Sequence, residues 1–459
     1  MGLSRNCSRG EVEMDRRIVV CDYSGHSFQV QLSRELAKRG HRVLHLYSRD
    51  FLTPRGLLHR QDEDASGFEI EGLSIGDPHA KDSFIRRRRQ EKKFGSLAAE
   101  RTLVAKPHVV LSCNMPLDAQ AEMNAACRRR GIRFLLWLQD LYSVAILNIL
   151  TRKLGPAGYL IGLYYQSVER AILRRSDSVI CISDSFIHTL RAWGVPIEKC
   201  VTIPNWAPID EIPVGTKQNG WAREHGVAGK KVVLYTGTLG LKHNIEFLLA
   251  IADRFEGRDD ATLVVTSEGS RAERLRAEAI RRSLTNITIL PFQPYERYPE
   301  VLATADVLLA FIDNDAGVYS VPSKILSYLC AGRPIVLAAP ERNLASETVI
   351  AACAGVVVPA DAPAALVRAV EELIADDQRR IDLGRSARDY AVKRFDIERI
   401  ADRFEELLLA GRNMAAAAAV ADRHALRDSR RAGQRSEGLT ESGSGARGQS
   451  RMPVRVRPV

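Results

Sequence analysis

At 459 residues the chain is too long for one compact core, and two domains are expected. Hydrophobic residues at 45% and charged residues at 27% exclude wholesale disorder and a polytopic membrane protein. The formal charge of +10 is concentrated in residues 411–459, where ten arginines face four acids, so the body carries no basic excess that would call for nucleic acid.

Residues 1–15 lack the apolar segment of a signal peptide and read as a disordered extension. Residues 17–21 (RIVVC) form a buried strand, followed by the loop DYSGHS and a helix in which Phe28, Leu32 and Leu36 recur every four residues. Gly40 ends that helix, and residues 41–47 return as a second strand. Further strands are expected at 109–112, 134–138 and 179–182. The text IPNWAP at 203–208 is turn chemistry and places a domain boundary at 205/206. A second series of strands then follows at 231–235, 262–266, 287–290, 306–311, 334–338 and 355–358, with helices in the gaps. The expected division is a first Rossmann-like domain at 16–205, a second at 206–390, a C-terminal helix at 391–411 crossing back to the first domain, and a disordered basic tail at 412–459. Eight cysteines stand singly with no C-x-x-C, which argues against a zinc ribbon or disulfide framework and suits a reducing cytoplasm.

Parallel sheets of this kind bind ligands beyond the carboxyl ends of their strands. The loop after residue 235, TGTLGLKH, offers Gly237 and Gly240 for close backbone approach, a helix start and the charge of Lys242. It suits a diphosphate, or is an ordinary strand-to-helix turn. Ser323, as a cap, and Lys324 open a second helix, closed by Gly332, whose free N–H groups face the same cleft. Asp313-Asn314-Asp315 is a D-x-D too short to carry a metal site, and no metal is expected. His26 is either a polar cleft residue or a turn histidine. The run Arg86, Arg87, Arg88, Arg89, Lys92 and Lys93 is a solvated face or, with the apolar-aromatic stretch 159–165, a contact for an anionic membrane surface.

The order of YTGTLGLKHN, TSEGS, LPFQP with ADVLLAFI, and VPSKILSYLCAGRPIV is similar to the donor domain of retaining family 4 glycosyltransferases, in the branch serving bacterial exopolysaccharide and O-antigen (colanic-acid-type) synthesis. WLQDLYSVAI, ERAILRRSDSVICIS and VTIPNWAPID resemble the first domain of that branch, and the likeness spans about residues 16–410. It implies an α/β fold of the GT-B kind: two Rossmann-like doubly wound domains facing a cleft. It also implies metal-independent transfer with retention, no cofactor, a nucleoside-diphosphate sugar (UDP-linked) as donor and a lipid-linked saccharide as acceptor, at the cytoplasmic face of the plasma membrane. By the same resemblance Lys242 is the diphosphate lysine, and Gly237 and Thr238 belong to its loop. Glu268 with Gly269 and Phe292 with Gln293 match the loops beside the nucleoside, and Ser323 with Lys324 the phosphate-side helix. Gly25 corresponds to the glycine loop facing the donor phosphates, and Asp140 to the acidic position near the reacting sugar. The sequence also departs from the pattern. The usual pair of glutamates aligns with Tyr319 and Ser327, the usual loop arginine with Thr238, and a usual histidine with Gln139. A non-catalytic nucleotide-sugar-binding partner and a sugar-nucleotide epimerase of the same architecture are the alternative readings.

Overall fold

The computed structural model describes residues 15–51, 55–77, 83–239, 244–312, 314 and 323–410. The first sheet contains β1 (Arg17–Asp22), β2 (Arg42–Ser48), β3 (Phe68–Leu73), β4 (Val109–Cys113), β5 (Arg133–Leu138), β6 (Ser178–Cys181) and β7 (Cys200–Thr202). Their order is β3-β2-β1-β4-β5-β6-β7, with every pair parallel. The second contains β8 (Lys231–Thr236), β9 (Ala261–Thr266), β10 (Ile287–Leu290), β11 (Val307–Phe311), β12 (Ile335–Ala338) and β13 (Gly355–Val358). It is also wholly parallel, in the order β10-β9-β8-β11-β12-β13. Central strands such as RIVVCD, VVLSC and KVVLYT are buried almost end to end, because helices cover both faces. Strand order reverses between β1 and β4 and again between β8 and β11, so each sheet has one switch point where the loops diverge and leave a crevice.

Two strands go beyond the expected set. β3 reads FEIEGL, with glutamates on alternate positions, and β7 has three residues; both are edge strands, where only part of the chain is buried. The segment 203–219 joins the sheets. Trp206 on it stacks on Trp137 of β5 at 5.6 Å, with Phe28 edge-on to both and Phe404 edge-on to Trp137 at 4.7 Å. Phe404 belongs to the helix Ile397–Leu409, which lies against the first domain. There Arg39 pairs with Asp402 at 2.7 Å and Glu405 at 2.8 Å, and Arg133 donates to the carbonyls of Leu407 and Leu408. The chain thus returns to its first half after completing the second. Residues 1–14 of the expected extension 1–15, the last residue of the expected helix 391–411 and the whole expected tail 412–459 lie outside the described residues.

The helical span Tyr142–Arg175 breaks at Gly155, whose φ of 57° and ψ of −134° turn it into a hairpin. Its two arms come very close. A Cβ on Gly158 would sit 1.9 Å from the Leu150 carbonyl oxygen, and one on Gly162 would sit 2.4 Å from Leu147 Cδ1.

Candidate active site

The loop after β8 lies at the switch point of the second sheet, beside the helix Lys324–Ala331 that follows β11. Gly237 holds φ at 116° and donates its amide to the Thr266 carbonyl, while Leu239 N donates to Ser267 Oγ. The loop is therefore stitched to the end of β9. Lys324 Nζ stands 3.9 Å from the centre of the Tyr235 ring, and a Cβ on Gly237 would come within 3.2 Å of it. Any side chain at 237 would thus crowd the amine as well as strain the backbone. Burial holds that amine far below the usual lysine range, at about 7. Tyr235 carries its hydroxyl to the Thr238 carbonyl at 3.0 Å, and Tyr328 on the helix Lys324–Ala331 donates to the Leu309 carbonyl and accepts from Thr236 N at 3.3 Å, tying β8 to β11 beneath the loop. Thr238 itself is exposed. Ser323 occupies the N-cap position, but its side chain makes no capping bond, so the expected Ser cap is absent and Ser323 is exposed. Helical backbone angles at Ser323 are the reason, since a cap needs extended ones. Lys242, Gly240, Asp313, Asp315 and Tyr319 lie outside the described residues.

Glu268, Gly269, Phe292 and Gln293 come together next to this loop. Glu268 Oε1 accepts from Phe292 N at 3.0 Å, joining the turns after β9 and β10, and Gly269 opens the helix Ser270–Arg281 at φ 99°. Gln293 Oε1 accepts from Trp221 Nε1 at 2.8 Å and so anchors the turn to a buried indole. Two residues on, Tyr295 donates its hydroxyl to Glu211 and shares a side-chain hydrogen bond with Ser27, the first residue of the helix after β1. The carboxyl ends of the two sheets consequently face each other across a cleft.

On the opposite wall, Gly25 adopts φ 75°, and a Cβ there would strike Leu58 at 2.7 Å. Sequence reasoning missed the residue that organises this loop. Asp22, wholly buried, accepts the amides of Ser24 at 3.0 Å and His26 at 2.8 Å, with Gly25 contributing a third. These amides turn inward onto the carboxylate, and His26 is bonded through its backbone as a turn residue. Burial raises the Asp22 pKa, opposed by His26 and the amide bonds. Asp140, partly exposed, follows β5 and lines a small cavity with Asn114, Gln120, Gln139, Tyr142 and Glu169. Gln139 and Asn205 exchange reciprocal amide hydrogen bonds at 3.2 and 2.6 Å, which ties the end of β5 to the interdomain segment. Glu169, also missed, is buried, and desolvation pushes its carboxyl up to about 7.

A cavity of about 480 Å³ opens at the opposite, amino-terminal edge of the second sheet, beside Lys217, Asp306, Arg333 and Arg380. Its cations are engaged: Lys217 with Asp306, Arg380 with Asp377, and Arg333 with the carbonyls of Gly215 and Ala303. The groups suited to phosphate chemistry are at the other end. Among the described residues no group of three or more His, Cys, Asp or Glu is placed to hold a metal ion, and no helix is long and apolar enough to cross a membrane.

Two facing doubly wound domains, with a glycine turn and a half-buried lysine at the switch point of the second, have the GT-B architecture. Residues 230–376 match the family model for group 1 glycosyl transferases, and residues 27–211 match that for glycosyltransferase family 4. A protein of Escherichia coli (strain K12) assigned to colanic acid biosynthesis as the glycosyl transferase WcaI is 27% identical over 309 residues, covering 65% of this chain and 73% of that one. Among solved structures, sucrose-phosphate synthase from Thermosynechococcus elongatus superposes with a TM-score of 0.63 at 17% identity, over 85% of this chain and 98% of the other. Anabaena Alr3699/HepE, in complex with UDP and glucose, superposes with a TM-score of 0.61 at 16% identity, over 86% and 99%. These two likenesses establish the fold. The chain belongs to the family 4 glycosyltransferases.

Proposed function

We propose that this glycosyltransferase moves a sugar from a UDP-sugar to a lipid-linked saccharide, with retention of configuration, in cell-surface polysaccharide synthesis. The observation that carries the reading is the Lys324 amine, desolvated against Tyr235 and Gly237 at the switch point of the second sheet. A departing diphosphate gathers negative charge as the glycosidic bond breaks. A preorganised ammonium in a water-poor site, with the amide groups at a helix start, stabilises that charge. In this reading Lys242 adds a second cation, Thr238 and Ser323 contact the phosphates, and Glu268, Gly269, Phe292 and Gln293 shape the nucleoside pocket. Gly25 lets the facing wall approach closely. Asp140 orients the acceptor hydroxyl or stabilises the cationic sugar, and the leaving phosphate takes the hydroxyl's proton. The WcaI assignment supports the cell-surface setting, and the UDP and glucose in the HepE structure support the donor class.

The acceptor arrives from a membrane in this reading. Leu154, Tyr159, Leu160, Leu163 and Tyr164 are exposed around the turn and returning arm of the hairpin. Arg88 lies over the Tyr164 ring and donates to its hydroxyl, which joins the apolar tip to the basic run beginning at Arg86. Arg86 and Arg89 are exposed there, with Arg86 paired to Asp77.

A thermal-shift panel of UDP-, GDP-, ADP- and CMP-sugars is the primary test, since a ligand that binds only the folded state raises its melting point. A UDP-sugar should raise it most. No shift with any member would overturn the reading. Turnover should survive excess EDTA; abolition by the chelator and rescue by manganese would show that the metal-free mechanism is wrong.

A further inference from the structure

The hairpin Tyr142–Arg175 begins two residues after Asp140, and its first turn lacks a local cap: Leu141, at the N-cap position, makes no side-chain bond. The missing acceptors come from the other arm. Glu169 Oε1 accepts from Tyr142 N at 3.0 Å and Oε2 accepts from Ser143 N at 3.1 Å. Each is an amide that the helix itself cannot satisfy. Glu169 is 2% exposed, so the carboxylate is committed to this task rather than to solvent. The close passage of the arms at Gly158 and Gly162 brings it within reach. Asp140, Gln139, Tyr142 and Glu169 line the same small cavity.

We infer that Glu169 is a positioning residue for the reaction: by holding the amides of Tyr142 and Ser143 across the hairpin, it fixes the turn that presents Asp140 to the cleft. The inference rests on the role proposed for Asp140. Above its pKa of about 7 the Glu169 carboxylate offers two acceptors to two amides, and the tests are run at about pH 8.5. An amide side chain of the same size offers one acceptor and turns an N–H against the other backbone N–H. Glu169→Gln should therefore loosen the turn without opening a cavity, and Glu169→Asp, which keeps both oxygens, should restore part of the effect.

The experiment uses the full chain. Hydrogen exchange read by mass spectrometry on peptides covering 139–146 should quicken at least tenfold in Glu169→Gln, while peptides from β8 and β9 keep wild-type exchange. With the donor that gives the largest thermal shift, and water as acceptor, kcat should fall at least tenfold while donor KM stays within twofold. Glu169→Asp should lie between. Wild-type exchange at 139–146 overturns the proposal, and so does wild-type kcat in Glu169→Gln beside a slow Asp140→Ala. Should Asp140→Ala itself turn over like wild type, the reading of the site fails rather than the clamp. Where transfer to water is too slow to read, the exchange result decides alone.

Discussion

Two basic side chains, Lys324 and His45, show how desolvation serves different ends. Lys324 has its amine against an aromatic ring and beside a glycine, and desolvation lowers its pKa to about 7, so the amine gives up its proton far more readily than an ordinary lysine. In the proposed site a bound diphosphate would hold the proton on Lys324, so affinity for UDP should weaken as pH rises above about 7. Calorimetry on Lys324→Met should find UDP bound about 10- to 100-fold more weakly, the effect of losing a charged hydrogen bond, and should find that slope gone. Equal affinity in the variant would move the phosphates elsewhere. His45 on β2 is the structural counterpart. Its Nδ1 meets Ser33 Oγ at 2.8 Å, its Nε2 has no partner, and burial, with Arg34 nearby, takes its pKa down to about 3. The unfolded chain accepts a proton near the ordinary histidine value of about 6.5, but the folded chain refuses it until about 3. Stability from this residue is thus complete above that window and falls on acidification, by up to about 1.4 kcal/mol per pH unit. Urea midpoints from pH 7 to 4 should decline less steeply in His45→Gln, and parallel declines would place the acid sensitivity in other groups.

At the scale of elements, the hairpin joins the turn that carries Asp140 at one end to an apolar tip at the other. Replacing Tyr159, Leu160 and Leu163 with serine should abolish most co-sedimentation with phosphatidylglycerol vesicles, and Arg86→Gln with Arg89→Gln should make the remainder insensitive to salt. Wild-type protein that ignores such vesicles at low salt would assign this face to solvent. The hairpin also marks where the sequence stops being legible. Apolar runs in β1, β4, β8 and β11 identify themselves, because a strand covered on both faces admits little else. β3 does not, since its glutamates alternate with apolar residues as on any surface segment. Gly237 and Lys324 stand out because a glycine after a strand and a lysine at a helix start are local features. Glu169 does not, because it acts on a backbone 27 residues earlier, across a turn set by Gly155. Asp22 was hidden for a related reason: a carboxylate at a strand end looks like a ligand for something outside, and here it binds the chain's own amides.

At the scale of the molecule, the helix Ile397–Leu409 matters out of proportion to its length. It buries Phe404, Leu407 and Leu408, and it carries the acids that meet Arg39. A chain ended after residue 410 should melt and turn over like the whole protein. A chain ended after Phe395 should lose cooperative melting, since removing a buried Phe and two Leu costs about 7 kcal/mol or more at typical core values. Equal melting of the two would show that the helix only rests on the first domain. The same crossing gives the protein an order of assembly during synthesis. A ribosome delivers Trp137 and Trp206 long before Phe404, so the aromatic cluster of the first half stays open while the second half is being made. A chain cut short before this helix leaves one side of the tryptophan pair without Phe404, so premature termination late in the message should give a product with more exposed aromatic surface than the full chain.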